Sequence, residues 1–133
     1  AKIEAFTKVD NFKSNSITER FNVISSKNIA KVSYRLYKNY RGSNVPDFSK
    51  LGKPSETGKI NFFSLHELNL KNEDHFAVEF KTEIEIKRSG IYNFKLTSDD
   101  GSKLYIDGKL LIDNDGSHGT ISKSKKIQLL EEH

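Results

Sequence analysis

The amino-acid sequence predicts an all-β protein, a sandwich or a barrel, and three observations carry this prediction. Short segments of alternating apolar and polar residues recur along the chain, and Gly, Asp, Asn and Ser cluster between them, as turns between strands do. The clearest segment, residues 75–86, sets Phe76, Val78 and Phe80 on one face and charged side chains on the other. Almost no stretch has a convincing helical period, so helices are not expected to build the fold.

Length and composition limit the class of protein. The chain has 133 residues, which suits one domain with a real core, and it is 35% hydrophobic and 30% charged. No apolar run approaches the roughly 20 residues of a membrane span, so membrane insertion is not expected. Cys is absent, which excludes a disulfide framework, a thiol nucleophile and a cysteine-type zinc site.

The net charge is +4 and the pI is near 9.2, but the basic residues are spread along the chain among acids. The longest basic cluster, Lys123–Lys126, is short. We therefore interpret the charges as a solvated surface and expect no nucleic-acid partner. A module that binds other anions is a third possible function, less favoured than the two given at the end of this section.

The chain is predicted to divide at residue 30. Residues 1–30 are rich in Ser, Asn, Lys and Thr and hold two short strand-like segments, 3–6 and 21–24. We interpret 1–30 as an incoming strand with a linker, or as the tail of a preceding domain, and 31–133 as the β domain. Further strands are predicted at 32–37, 59–63 (a strand or a bend), 75–86, 91–96, 103–106, 110–112 and 125–129, with a loop over 51–58.

The most informative stretch, residues 98–119, carries two acidic turns joined by a hairpin. Asp107-Gly108 is a strong signal for a type I′ turn, which needs positive φ at both central residues. The hairpin places Asp99 and Asp100 at the same end of the sheet as the turn Asp113–Gly116. From the residues alone, this end is either a site for a hard cation or hydroxyl groups, or a pair of solvated turns.

Residues 75–119 resemble a PA14 domain, and a weaker similarity extends over roughly residues 32–130. The matching segments are Phe76–Phe80, Ser89–Phe94, Ser98–Gly108 and Asp113–Gly119, with Tyr37, Pro46–Phe48 and Thr57-Gly58 upstream. The resemblance implies an antiparallel β-sandwich. Members of the family normally end with a further strand, so the resemblance also implies that the closing strand is missing here or supplied by the parent protein. An unpaired edge of that kind is prone to self-association.

The resemblance also implies a function. PA14 domains are usually appended to extracellular bacterial glycosidases, fungal adhesins and some toxins, and several are implicated in carbohydrate binding. In the adhesin branch an adjacent Asp pair binds calcium through a cis peptide, and sugar hydroxyls complete the coordination. Asp99 and Asp100 match that pair. The adhesin cysteines are absent here, so the match is to the bacterial style of module.

Several residues are candidates for the site. Asp99 and Asp100 are the proposed calcium ligands, with Asn114 and Asp115 as supporting ligands, because carboxylate and amide oxygens suit Ca²⁺. The alternative is that these side chains order tight turns, as Asp and Asn often do. In addition to the Asp pair, His118 and Tyr40 are candidates for contact with a ligand. An EF-hand loop is rejected, because residues 121–125 supply no acid.

Catalysis within this chain is not expected, since adjacent carboxylates lack the separation of about 5–10 Å that glycosidases need. The sequence therefore predicts a non-catalytic carbohydrate-binding module of a secreted glycoside hydrolase, with calcium as its candidate cofactor. Its partners would be a glycan and the parent catalytic domain, and its place would be extracellular, periplasmic or at the bacterial cell surface. The alternative is a structural module that packs against that catalytic domain.

Overall fold

A computed structural model describes residues 1–11, 21–22, 31–61, 65, 68, 70, 74–98, 100–116 and 121–132. These residues form nine β-strands and one short 3₁₀ helix, Phe48–Lys50. The strands are β1 Lys2–Asn11, β2 Phe21–Asn22, β3 Val32–Lys38, β4 Glu56–Ile60, β5 Asp74–Glu83, β6 Gly90–Ser98, β7 Ser102–Ile106, β8 Lys109–Asn114 and β9 Ile121–Leu129. No helix in the described part of the chain has the length and hydropathy for a membrane span.

The strands form two antiparallel sheets. The larger has six strands in the order β4-β3-β5-β1-β7-β8, and the smaller has three in the order β2-β6-β9. Side chains from both sheets share one hydrophobic core, for example Ile3 of β1, Phe80 of β5 and Phe94 of β6, each with no exposed surface. The prediction of an all-β antiparallel sandwich is therefore confirmed.

The outer face of the six-stranded sheet is also partly covered, which alternation alone did not predict. The segment from Tyr40 to Leu51 crosses this face and buries Phe48 against Tyr37 and Ala77. The ring of Phe48 lies 5.0 Å from that of Phe6 and 5.4 Å from that of Tyr37. This second cluster explains why Ala77 of β5 is buried although it points away from the main core.

Strand β1 lies inside the six-stranded sheet. It pairs with β5 on one side, where Ile3 faces Thr82, and with β7 on the other, where Ile3 faces Ile106. Ile3, Ala5 and Val9 contribute to the main core. The proposed division at residue 30 stays a prediction, but the first strand shares its sheet and its core with the strands that follow that residue.

Other strands also differ from their predicted bounds, β4 and β9 most clearly. β4 begins at Glu56, inside the segment predicted as loop, because it pairs with β3 from Leu36 back to Val32. β9 begins at Ile121, since it pairs with β6 along its whole length up to Ser98. The first half of β9 could not be recognised from its polar sequence, because β9 is an edge strand and most of its side chains are exposed.

Candidate functional site

The predicted hairpin forms and brings the two acidic turns together. Asp107 and Gly108 have φ angles of 48° and 83°, as a type I′ turn requires. β7 and β8 then pair back to Ser102 opposite Asn114. Beyond this last pair Gly101 packs so closely on the second turn that a Cβ on it would lie 2.7 Å from Asp115 Oδ1.

The first turn is closed by the hydroxyl groups of the two serines that flank it. Ser98 Oγ donates to the backbone oxygen of Asp100 at 2.8 Å and lies 2.5 Å from Ser102 Oγ. Asn114 Nδ2 donates to Ser98 Oγ at 3.4 Å and to the backbone oxygen of Ile121 at 2.9 Å. Ser98, Ser102 and Asn114 are all buried, and their bonds join the two sheets at this corner.

Asp115 holds a separate loop in place. Its Oδ1 accepts hydrogen bonds from the backbone N–H of Val45 at 2.6 Å and of Gly116 at 2.7 Å. Its Oδ2 lies 3.9 Å from Lys103 Nζ. The carboxylate of the second turn therefore anchors the middle of the segment that covers the outer face of the sheet.

Strand β1 holds the first turn through two hydrogen bonds to Gly101. The backbone oxygen of Gly101 accepts from Thr7 Oγ1 at 2.9 Å and from the backbone N–H of Lys8 at 3.1 Å. Lys8 itself is fully buried. The burial of Lys8 could not be predicted from the sequence. A lysine between Thr7 and Val9 on an alternating strand is expected to face solvent.

The candidate residues meet different surroundings. Asp99 and His118 lie outside the described residues. Asp100 is half-buried at the first turn. Tyr40 is also half-buried, and its hydroxyl donates to the backbone oxygen of Asn44 at 2.7 Å, so that it closes its own loop.

A calcium ion requires six to eight oxygen ligands, which the residues at this end would have to supply together with a ligand or water. Among the described residues no three acidic, histidine or cysteine side chains cluster as a metal site would need. Asn114 donates its amide hydrogens within the protein, and one carboxylate oxygen of Asp115 already accepts two N–H groups. With that Asp115 oxygen engaged, a calcium ion at this end would need carboxylate oxygens from Asp99 and Asp100 as well.

The chain matches the PA14 domain family over residues 32–132, which is more than half of its length, and it belongs to that family. The family is one of non-catalytic modules of the carbohydrate-binding type, often found in glycosidases. No curated protein and no solved structure matches the chain.

Proposed function

We propose that this chain is the carbohydrate-binding module of a secreted glycoside hydrolase and that it binds glycan without catalysing its cleavage. The observation that supports the proposal most directly is the close approach of the two acidic turns, where Gly101 meets Asp115 and Gly116, in a chain that belongs to the PA14 family. Such a module would hold its parent enzyme near the glycan and raise the local concentration of substrate sites.

Calcium is the second part of the proposal. Asp99 and Asp100 would supply carboxylate oxygens, and sugar hydroxyls would complete the coordination of the ion. Asn114 and Asp115 would mainly position the calcium ligands, since their hydrogen bonds order the corner of the sandwich that carries the first turn.

A glycan array, run with calcium and then with EDTA, tests glycan binding and its dependence on the ion together. The proposal expects binding that is clearly weaker in EDTA and in Asp100→Asn. Asp113→Asn is a matched control, because Asp113 is an exposed acid of the neighbouring turn. Binding that EDTA leaves unchanged would refute the role of calcium but not glycan binding, and an array without any bound glycan would refute the carbohydrate function.

A second candidate function is packing against the parent catalytic domain. The observation that favours it is exposed apolar surface near the chain end: Ile91 is 66% exposed and Leu130 is 68% exposed. If this face packs on a catalytic domain, Ile91→Ser should weaken co-purification of the two as separate chains, while glycan binding should not change.

A further inference from the structure

A groove of about 530 Å³ lies on the outer face of the six-stranded sheet, and its lining residues include none of the described residues of the two acidic turns. Its floor is formed by β1 and β7, and its wall is the segment Val45–Phe48. That volume is within the range of about 300–1,000 Å³ that small-molecule sites occupy.

Aromatic rings line one side of this groove. The ring of Tyr105 stands edge-on to that of Phe6, with centroids 5.4 Å apart, and Phe6 in turn contacts Phe48. Tyr105 and Phe6 are only half-buried, so they offer ring surface to a ligand. Tyr combines a rigid apolar body with a hydroxyl, which suits a ligand that has both an apolar face and polar edges.

Polar groups in the groove remain available to a ligand. The amide and the hydroxyl of Ser49 both donate to Oδ1 of Asp47, which leaves Oδ2 as an acceptor. Within the described part of the chain, the Tyr105 hydroxyl makes no hydrogen bond. Lys103 Nζ reaches Asp115 only at 3.9 Å, so it can still donate to a ligand.

The mixture of these groups selects among classes of ligand. Asp47 disfavours an anion, and Lys103 disfavours a simple cation, while the aromatic side disfavours a fully solvated ion. A ring that carries several hydroxyl groups satisfies all three, because each hydroxyl both donates and accepts and the C–H face packs on aromatic rings.

We propose that this groove binds a single pyranose unit, on the Tyr105 side against Phe6 and Phe48, with hydroxyls on Asp47 and Lys103. This site would be independent of calcium and separate from the acidic end. The inference rests on the proposed carbohydrate function and adds a second place where the sugar is held. The two acidic turns would contribute to it only through Asp115, which fixes the wall by accepting from Val45.

The test is an NMR titration of the whole chain, in calcium and then in EDTA, with D-glucose, D-galactose, D-mannose and N-acetyl-D-glucosamine as probes. Cyclohexanol serves as a ring of similar size with a single hydroxyl. The inference expects at least one sugar to shift the backbone amides of Val45, Asp47, Phe48 and residues 103–105 in both buffers, and cyclohexanol to bind clearly more weakly. Tyr105→Phe should weaken that sugar severalfold and Tyr105→Ala by roughly tenfold. Tyr92→Phe, a change in the other sheet, should have no effect.

The outcomes separate the two proposals. Sugar shifts confined to residues 98–101 and 113–116 would overturn the groove site and leave the module's glycan binding intact. Equal binding of cyclohexanol and sugar would also overturn it, because the groove would then be merely apolar. No shift with any sugar would count against both. Should Tyr105→Ala fail to fold, Tyr105→Phe and the shift map of the unmodified chain still decide the matter.

Discussion

Replacing Gly101 with alanine should destabilise the protein, while the same change at Gly90 should not. A Cβ at residue 101 would lie 2.7 Å from Asp115 Oδ1 and 2.8 Å from both the backbone nitrogen and the backbone oxygen of Gly116. At residue 90 a Cβ would meet no atom within 4 Å. The pair therefore differs in the space around the added methyl group, and neither glycine has a positive φ.

The magnitude follows from what the methyl group would displace. Asp115 cannot simply rotate away, because its Oδ1 is held by the N–H groups of Val45 and Gly116. Overpacking of this kind costs about 1–3 kcal/mol, and hydrogen bonds to a charged group contribute about 1.5–3 kcal/mol. We expect the free energy of unfolding to fall by about 3 kcal/mol, which for a chain of this size lowers Tm by about 10 °C.

Urea unfolding followed by circular dichroism measures the difference between the two variants. Gly90→Ala should be neutral or stabilising by up to about 1 kcal/mol, because alanine narrows the unfolded ensemble. If Gly101→Ala proved as stable as Gly90→Ala, the close packing of the two acidic turns would be refuted, and with it the geometry on which the proposed site depends.

Other predictions concern single side chains. Asp115→Ala should lower the free energy of unfolding by about 1–3 kcal/mol, because it leaves the Val45 N–H without its acceptor, and hydrogen exchange at that amide should speed up. Hydrogen bonds from the Ser49 hydroxyl and amide lower the pKa of Asp47. Asp47 should therefore stabilise the fold at neutral pH, and the difference in stability from Asp47→Asn should vanish as the pH falls from about 4 toward the lowered pKa. Burial raises the pKa of Tyr34, so its ultraviolet titration should occur at higher pH than that of free tyrosine. Its contribution to stability should be complete below the pKa of free tyrosine and should be lost as the pH rises from there through the raised pKa.

The hairpin could be predicted from sequence because its signals are local. A type I′ turn depends on two adjacent residues, Asp107 and Gly108, and alternation in β7 follows the pleat of the strand. The hairpin also predicted that the two acidic turns lie at the same end of the sheet, and the close contact of Gly101 with Asp115 confirms this. The position of β1 could not be predicted this way, since its partners β5 and β7 are distant in sequence and alternation does not identify a neighbour.

The role of Asp115 shows a second limit. An acid in a turn followed by glycine has the same local pattern whether it binds a metal, faces solvent or anchors another loop. Its partner Val45 lies far away in sequence and contributes only a backbone N–H, which leaves no mark on residue type. The groove was missed for a related reason: its aromatic side chains come from β1, β7 and the Val45–Phe48 segment, and only the folded sheet brings them together.

The position of β1 has a consequence for how the protein folds. Its two neighbours are β5 and β7, so Ile3 pairs with Thr82 and Ile106. During synthesis the first strand must wait until the chain beyond residue 106 has left the ribosome before both of its edges are paired. Contacts so distant in sequence fold slowly, and until β1 is placed the edges of β5 and β7 stay open to strands of other chains. A fragment that begins at residue 32, where the family match begins, lacks β1, so the edges of β5 and β7 would stay unpaired. We expect such a fragment to aggregate rather than fold.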